Sequence, residues 1–336
     1  MRAAVAAGRG VVTAQRLCEL GIPGRLIAQW CRRGLLVPVR RGVYTTRELW
    51  ESWDKYAARP TARIRAAHLT LRIPHAFSHD SAAIVQEMRL LRPQDSAVHV
   101  TREDVRGTRS RFGIEHHGAV TDQLRTVRAS GLDVLDVPRT VADLAREHGY
   151  LAGLVAADGA LHSGMPRSEL RAAADEMAGW PFSITVRAVV EDADAGSESV
   201  GETLMRDLVS GVLGQDVETQ FPVLTRRGVR WCDLRVGRHL FEFDGRIKYQ
   251  DPADGGVDDR ELEKILWDER QRQGDVTDEG FGMTRLTYAD HWGAARDAAE
   301  LRVQRDVDDT TRRYGTELTP QQAEVAARLR GRRPAS

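Results

Sequence analysis

The 336-residue sequence contains only three cysteines, Cys18, Cys31 and Cys232. They are odd in number and far apart, so they fit neither the ligand spacing of a zinc site nor a disulfide framework. So few unpaired cysteines are typical of proteins that stay in a reducing compartment. We therefore expect a cytoplasmic protein.

Long apolar runs are missing as well. No stretch is long enough to cross a bilayer, and the first residues, MRAAVAAGRGVV, lack the apolar centre of a signal peptide. The hydrophobic fraction of 41% and the charged fraction of 29% are ordinary for a soluble protein. The length predicts two or three domains with ample core, and the composition predicts no membrane partner.

Lysine is scarce: it occurs only as Lys55, Lys248 and Lys264, and arginine supplies the rest of the 49 basic side chains. We interpret the excess of arginine mainly as the coding bias of a GC-rich bacterial genome. Two of the three lysines fall in the region of the candidate site described next.

The 49 basic and 49 acidic residues cancel, but they are unevenly placed. Residues 1–48 hold nine arginines against Glu19 and Glu48, whereas residues 191–306 hold 16 basic and 26 acidic residues. A basic head is typical of nucleic-acid-binding proteins. An acidic segment can approach DNA only when its charge is neutralised, for example by a bound metal ion.

The stretch Trp231–Tyr249, WCDLRVGRHLFEFDGRIKY, predicts a β-hairpin. Its strands are Trp231–Val236 and His239–Asp244, and Gly237 and Arg238 form a two-residue turn. The surrounding pattern predicts the order α–β–β–β–α–β–α, which is a small central sheet flanked by helices. The other predicted elements are a helix to about Leu213, strands Val217–Pro222 and Met283–Tyr288, and helices Arg260–Gln273 and His291–Arg305.

Three carboxylates are expected to converge on this hairpin. Because side chains alternate along a strand, Glu242 and Asp244 share one face, opposite the two phenylalanines, and Asp233 can lie beside them. Unpaired negative charge on apolar strands is costly, and a divalent cation with oxygen ligands, Mg²⁺ or Mn²⁺, removes that cost. With Lys248 near a bound phosphate, the set predicts phosphodiester hydrolysis. The alternative is an acidic strand face without a metal, because acidic clusters can also be structural.

Residues 1–48 predict two helices and a hairpin. The first helix, Val12–Leu20, starts at Thr13, and the second, Pro23–Arg33, stops at Gly34. Spacing of i, i+4, i+7 and i+8 places four polar side chains on one exposed face of the second helix. These are Arg25, Gln29, Arg32 and Arg33, and a hairpin follows with Arg40 and Arg41 at its tip.

A helix pair followed by a basic hairpin is the shape of a winged helix. It places one helix in the major groove of double-stranded DNA and the hairpin on the phosphates. The alternative is an arginine-covered helical pair that serves only as a packing module.

The run Val12 to Thr46, VTAQRLCELGIPGRLIAQWCRRGLLVPVRRGVYTT, resembles the N-terminal winged helix of AbiEi-type antitoxins. The segments FSHDSAA and DVPRTVADLA of residues 49–190 resemble the middle region of the same family. The resemblance implies binding to promoter DNA, a small α/β middle unit and a toxin protein as a possible partner.

The middle region offers two residue patterns with chemical potential. His79, Asp80 and Ser81 are the residue types of a hydrolase triad, but sequence neighbours rarely meet in triad geometry. His116 and His117 are adjacent on a predicted strand and point in opposite directions, so we interpret them as polar strand residues rather than metal ligands. We therefore expect this region to be structural or to bind a partner.

The secondary structure of the middle region follows from its apolar periodicity. Arg139 and Asp143 are spaced i, i+4 and are expected to pair on a helix face. Ser78 is expected to cap a helix. The predicted elements are helix Leu49–Leu71 with Pro60 near a break, strands Val98–Thr101, Ile114–His117 and Leu132–Val137, and helices Pro138–Arg146 and Tyr150–Ser163.

Residues 197–292 resemble the very-short-patch-repair-like branch of the PD-(D/E)XK nuclease superfamily. The matching residues are Ser199 and Glu202, Asp233, the run from Glu242 to Tyr249, the run from Leu266 to Arg270, and the run Thr284-Arg-Leu-Thr. The resemblance implies that Asp233 and Glu242 bind the metal and that Glu202 orients a ligand or a water. The family pattern E-x-K is not met, because Asp244 stands at the lysine position. Either Lys248 supplies the cation, or Asp244 is a third ligand, or activity is lost.

These observations predict a multi-domain, mixed α/β protein. Its parts are a winged helix at 1–48, an α/β middle region at 49–190, a nuclease-like domain at 191–306, and a capped helix with a basic tail at 307–336. The predicted function is metal-dependent cleavage of double-stranded DNA. The alternative is an antitoxin-like transcriptional regulator whose nuclease fold is inert.

Overall fold

The structure is a computed structural model that describes residues 1–91, 97–119, 124–215, 217–245 and 274–330. It divides into two compact units. Unit 1 comprises Met1–Ala160 and Met165–Ala193, and unit 2 comprises Leu161–Gly164 and the chain from Asp194 onward. Both units contain helices and β-sheet, which confirms the predicted mixed α/β class.

The head of unit 1 packs three helices on a small antiparallel sheet with the strand order β1-β3-β2. Its elements are α1 (Arg2–Ala7), β1 (Val12–Thr13), α2 (Ala14–Glu19), α3 (Gly24–Arg32), β2 (Leu36–Arg40) and β3 (Val43–Thr46). As predicted, Thr13 caps α2, because its hydroxyl accepts the N–H of Arg16. Leu17, Ile27 and Leu36 are buried together and hold the two helices against the hairpin.

The rest of unit 1 is a six-stranded sheet, ordered β6-β7-β5-β4-β9-β8, with helices packed on it. Its strands are β4 (Ala76–Phe77), β5 (Val98–Arg102), β6 (Thr108–Arg111), β7 (Ile114–Gly118), β8 (Thr126–Ala129) and β9 (Leu132–Leu135). Its helices are α4 (Arg47–Ser52), α5 (Ala58–Thr70), α6 (His79–Val85), α7 (Val137–His148), α8 (Tyr150–His162), α9 (Arg167–Glu176) and α10 (Ser183–Asp192).

The helical segment predicted at Leu49–Leu71, with a break near Pro60, is divided into α4 and α5 by a break at residues 53–57. The carboxylate of Asp54 accepts the backbone N–H groups of Tyr56, Ala57 and Ala58. These contacts form a new helix start after Asp54, so the break falls before Pro60, which lies in the first turn of α5.

Unit 2 is a four-stranded sheet, ordered β10-β11-β12-β13, that packs against two long helices. Its elements are α11 (Val200–Leu213), β10 (Glu218–Thr225), β11 (Gly228–Val236), β12 (His239–Asp244), β13 (Gly282–Thr287), a 3-10 turn (Tyr288–His291), α12 (Gly293–Tyr314) and α13 (Pro320–Arg330). Met205, Phe241 and Val303 represent its core, which joins α11, β12 and α12. The strands β12 and β13 run parallel, whereas the other neighbours are antiparallel.

The C-terminal part of unit 2 confirms one predicted element and extends another. The helix predicted at Pro320–Arg330 is α13, and its cap Thr319 accepts the N–H of Gln322. The helix predicted to end at Arg305 continues to Tyr314. The predicted helix Arg260–Gln273, the run Leu266 to Arg270 and the tail after Arg330 lie outside the described residues.

Within the described part of the chain, no helix combines the length and the apolar character that crossing a membrane requires.

Candidate functional site

The hairpin of β11 and β12 brings Asp233 and Glu242 together, as the sequence predicts. The paired residues are Leu234 with Phe241, Arg235 with Leu240, and Val236 with His239. Continued by one step, this antiparallel register places Asp233 opposite Glu242 on the same face of the sheet. The core contacts of Phe241 and Phe243 lie on the other face, which confirms the predicted alternation.

The neighbouring strand is distorted at the same level. The β10–β11 ladder pairs Thr219 with Leu234 and Phe221 with Cys232, and between these pairs Gln220 has a φ of 52°. A left-handed backbone at a residue other than glycine costs free energy and is found most often where a side chain must be aimed. Here the side-chain amide nitrogen Nε2 of Gln220 donates to Oε2 of Glu202 at 3.2 Å.

Asp233 carries the most perturbed carboxyl of the site. Its Oδ2 accepts the backbone N–H of Phe243 at 2.7 Å. Burial raises the pKa of Asp233 to about 7; the Phe243 N–H opposes this rise, and the negative charges of Glu202, Glu242 and Glu198 add to it. The site therefore holds more negative charge than its protein surroundings balance, and a cation would relieve it.

Glu202 is fixed by the start of α11. The hydroxyl of Ser199 accepts the N–H of Glu202 at 3.2 Å and donates to its Oε1 at 2.9 Å. Oε2 accepts the N–H of Glu198 at 2.8 Å, in addition to the amide of Gln220. These contacts orient the carboxylate before any ligand binds.

The other predicted ligands differ in their surroundings. Glu242 lies beside Arg285 of β13, whose guanidinium nitrogen is 3.4 Å from its Oε2. Asp244 ends β12, is half-buried and pairs in register with Thr287. Lys248 lies outside the described residues, so its predicted place near a phosphate stays a prediction.

The acidic site is more open than a closed metal cage. Among the described residues, the one group of three or more His, Cys, Asp or Glu side chains whose ligand atoms all lie within 4.8 Å of one another is His79, His99 and His117 in unit 1. The carboxylates at 202, 233, 242 and 244 therefore do not converge that closely. The convergence of three carboxylates that the sequence predicts on the hairpin is therefore not reached at that distance, and the structure supports the proximity of Asp233 and Glu242 only.

The basic face of the head is largely as predicted. Arg25, Arg32, Arg33 and Arg41 are exposed, and Gln29 is half-buried. Arg40 is different: its Nε donates to the hydroxyl of Thr70 and its Nη1 to the carbonyl of Phe112, both at 3.0 Å. Its guanidinium is thus directed toward α5 and the β6–β7 turn, and the predicted contact of Arg40 with DNA phosphate stays a prediction.

Beside Arg40, unit 1 has an arginine-rich cavity of about 580 Å³. Arg40, Arg41, Arg102, Arg109 and Arg111 line it, together with Asp104 and apolar side chains. The sequence does not predict this cavity, because the exposed strand β6 lacks the apolar alternation by which strands are recognised.

The triad-like run of the middle region does not form a triad. The hydroxyl of Ser81 accepts the backbone N–H of His99 at 2.9 Å, and Oδ2 of Asp80 lies 2.6 Å from Nε2 of His148. His116 and His117 point to opposite sides, as predicted: His116 lies 3.3 Å from Arg102, and His117 joins the histidine group described above.

Arg139 and Asp143 pair as predicted, but in the interior rather than on a surface. The Nε of Arg139 lies 3.1 Å from both carboxylate oxygens of Asp143, which is fully buried.

No family model and no curated protein matches the chain. Among solved structures, the chain is similar to the crystal structure of the Rv2827c protein from Mycobacterium tuberculosis, with a TM-score of 0.37 and 16% sequence identity. The match covers 56% of this chain and 75% of that chain. So low a score carries no argument about function, which rests on the residues described above.

Proposed function

We propose that the protein binds double-stranded DNA through its head and hydrolyses phosphodiesters at the acidic site of unit 2 with Mg²⁺ or Mn²⁺. The observation that carries the proposal is the juxtaposition of Asp233 and Glu242 on one sheet face, with Glu202 held beside them. The donors are carboxylate oxygens, which suit a hard divalent cation, and the uncompensated charge at Asp233 fits such a cation.

Each carboxylate has a separate role in this proposal. Asp233 and Glu242 would hold the ion, and Glu202 would orient a ligand or the attacking water. Asp244 would become a third ligand only after its side chain moves closer, because the carboxylates do not converge within 4.8 Å of one another. The bound ion would supply a more acidic water and polarise a phosphoryl oxygen. Lys248 would stabilise the developing negative charge from a position after β12. The chain supplies no covalent nucleophile in this scheme.

Cleavage assays on several DNA forms, with Mg²⁺, with Mn²⁺ or with EDTA, test this site. Wild-type protein is expected to cut only with a divalent ion, and Asp233→Ala and Glu242→Gln should each lower the rate at least a hundredfold. Glu300→Gln is the matched control, because Glu300 pairs with Arg296 on the surface of α12. Equal cleavage by wild type and Asp233→Ala would show that the activity comes from another site or from a contaminant.

DNA binding is assigned to the exposed arginines of α3 and the hairpin tip. These positive charges can contact phosphates, and the arginine-rich cavity beside the tip would extend the same surface. The order of helices and strands in the head is similar to that of a winged helix, which supports the proposal that α3 is the groove-binding helix.

A salt titration tests the head. Arg32→Ala combined with Arg33→Ala should weaken binding and lower the slope of log K against log salt by about two, because each phosphate contact contributes about 0.9. The matched control is Arg312→Ala combined with Arg313→Ala, which removes the same charge from the C-terminal turn of α12. Unchanged binding in the α3 variant contradicts the assignment.

One observation favours a second function, a transcriptional regulator with an inert nuclease fold. Glu242 already has a cationic partner in Arg285, and Asp244 replaces the lysine of the family pattern. Such a protein would bind promoter DNA with its head and a toxin with another surface. Binding without cleavage by wild-type protein under all metal conditions supports this function over the first.

A further inference from the structure

Three histidines meet in the core of unit 1, far apart in sequence and outside the site discussed so far. His79 is the first residue of α6, His99 lies on β5 and His117 on β7. The side chains are 5%, 1% and 7% exposed. Ring centroids are 3.8 Å apart for His79 and His117, 5.3 Å for His99 and His117, and 5.5 Å for His79 and His99.

Their ring nitrogens divide into an inner and an outer set. Nδ1 of His99 lies 3.0 Å from Nε2 of His117, and the donor atoms of the three rings all fall within 4.8 Å of one another. Two nitrogens bound to one zinc ion at about 2.0–2.1 Å in tetrahedral geometry lie roughly 3.3 Å apart. The nitrogens of His99 and His117 are therefore spaced nearly as two ligands of one ion would be. The ring of His79 lies stacked on that of His117 at an interplanar angle of 19°, so it would have to turn to direct a nitrogen to the same ion.

The outer nitrogens of His79 and His117 each have a hydroxyl oxygen within 3.4 Å, whereas that of His99 has a carboxylate oxygen at 3.9 Å, which is beyond hydrogen-bonding distance. Nδ1 of His117 is 3.4 Å from the hydroxyl of Thr108, and Nε2 of His99 is 3.9 Å from Oδ2 of Asp80. Nδ1 of His79 is 3.0 Å from the hydroxyl of Ser78 and 3.9 Å from Oδ2 of Asp143, which leaves Nε2 as its inner nitrogen. Histidines that bind metals commonly direct the second nitrogen to such an oxygen, which fixes the tautomer.

Burial favours the neutral, metal-binding form of His79 and His117. Burial lowers the pKa of His117 to about 4, and the neighbouring His99 adds to the effect. Burial also lowers the pKa of His79 well below its usual range, followed by the charges that His117 and His99 would carry. Neutral imidazole is the protonation state that coordinates a cation.

The charged groups near the rings include two carboxylates whose negative charge would favour a bound cation. The carboxylates of Asp80 and Asp143 face the histidines, and His148 contacts Asp80 from α7. Arg139 is engaged by Asp143, and the guanidinium groups of Arg139 and Arg146 stack over the Trp180 ring at 5.1 and 5.0 Å.

The backbone at His79 is strained. Its φ of 49° lies in the left-handed region, which is unfavourable for residues other than glycine. The left-handed conformation aims this imidazole from the start of α6 onto the ring of His117. Such strain persists where the surrounding structure requires one side-chain direction.

We propose that His79, His99 and His117 form a three-histidine site for a divalent transition metal, Zn²⁺ above all, with water as the fourth ligand. Three imidazoles without a thiolate suit Zn²⁺ and its neighbours rather than Mg²⁺, which takes oxygen ligands. The site is thus separate from the proposed nuclease site in donor type, in metal and in unit. Its test does not depend on DNA cleavage.

The experiment titrates tag-free, full-length protein with Co²⁺ after treatment with a chelator and dialysis. The visible absorption of a four-coordinate nitrogen and oxygen site should saturate at one Co²⁺ per chain, apart from any weakly absorbing Co²⁺ at the carboxylates of unit 2, and Zn²⁺ should displace it. His117→Asn and His99→Ala should each weaken binding more than tenfold, while His116→Asn, the neighbour that points to the opposite side of β7, should bind like wild type. Circular dichroism checks that each variant is folded.

Wild-type protein that binds neither Co²⁺ nor Zn²⁺ stoichiometrically overturns the proposal and leaves the rings as a hydrogen-bonded core stack. Binding that survives in folded His117→Asn, or a thiolate-to-metal absorption band, places the metal elsewhere and also overturns it. The wild-type titration alone decides whether a site exists. The proposal can therefore be refuted even if a variant fails to fold.

Discussion

At the scale of single residues, Asp233 is held in surroundings that disfavour its charge. Its burial and the nearby carboxylates raise its pKa to about 7, and its hydrogen bond comes from a backbone N–H that a neutral amide can also satisfy. Replacement by asparagine keeps the acceptor and removes the charge. In metal-free buffer at pH 8, Asp233→Asn should raise the free energy of unfolding by at least about 1 kcal/mol.

Asp290 is the control for this prediction. Its Oδ2 accepts from the N–H and the hydroxyl of Thr287 at 2.6 and 2.8 Å, and its Oδ1 lies 3.0 Å from Arg302. Asp290→Asn should therefore lower the free energy of unfolding by about 1–2 kcal/mol. Denaturant titrations in which Asp233→Asn loses as much stability as Asp290→Asn would contradict the account of the acidic site.

His239 gives a prediction for pH dependence. Its nitrogens lie 2.6 Å from the hydroxyl of Thr310 and 2.9 Å from that of Thr284, and burial lowers its pKa to about 4, although Asp306 opposes the shift. Above pH 6.5 the residue is neutral in both states and contributes no pH dependence. Between pH 6.5 and 4 the unfolded chain binds the proton more strongly, so the free energy of unfolding decreases as the pH is lowered.

The measurement compares wild type with His239→Gln at pH 7 and pH 4.5. The loss of unfolding free energy on acidification should be smaller in the variant by roughly 2 kcal/mol. Identical losses in the two proteins would show that His239 takes up its proton equally in the folded and unfolded states.

At the scale of elements, α11 can pack closely against β12 because Gly201 has no side chain. A Cβ at Gly201 would lie 2.0 Å from the ring of Phe243, the residue whose N–H binds Asp233. Gly201→Ala should therefore destabilise unit 2 by about 1–3 kcal/mol and disturb the acidic site. Gly211→Ala on the same helix meets open space and should be neutral or stabilising by up to about 1 kcal/mol.

Local patterns predicted elements well where the determining contacts are local. The hairpin turn at Gly237, the cap at Thr319 and the strand that carries Glu242 follow from neighbours in sequence. The edge strands β6 and β8 were not predicted, because their side chains are largely exposed and lack apolar alternation. The burial of the Arg139–Asp143 pair is also a tertiary property that i, i+4 spacing cannot reveal.

The histidine group was missed for a related reason. His79, His99 and His117 are about twenty residues apart, and they meet only because β4, β5 and β7 are neighbours in the sheet. The alternation of side chains along a strand correctly predicted that His116 and His117 point to opposite faces of β7. It did not identify the partners of either residue. In contrast, Asp233 and Glu242 share a tight hairpin, so their proximity could be predicted from the sequence alone.

At the scale of the whole molecule, the two proposed ions should act on different units. Hydrogen exchange followed by mass spectrometry can separate their effects. Zn²⁺ should slow exchange in peptides from α6, β5 and β7 of unit 1, and Mg²⁺ in peptides from β11 and β12 of unit 2. Protection of both units by one ion would contradict the assignment of separate sites, and His116→Asn serves as the control for Zn²⁺.

The contacts of Arg40 have a consequence for recognition. The guanidinium of Arg40 donates to the hydroxyl of Thr70 and to the carbonyl of Phe112, so the β2–β3 hairpin, the wing of the proposed DNA-binding head, is anchored at two points in the unbound protein. A preorganised wing loses little conformational freedom on docking, so association would be fast and largely rigid-body. Lengthening the turn at Phe112 would loosen this anchor, and the wing would then have to find its orientation on the duplex at an entropic cost.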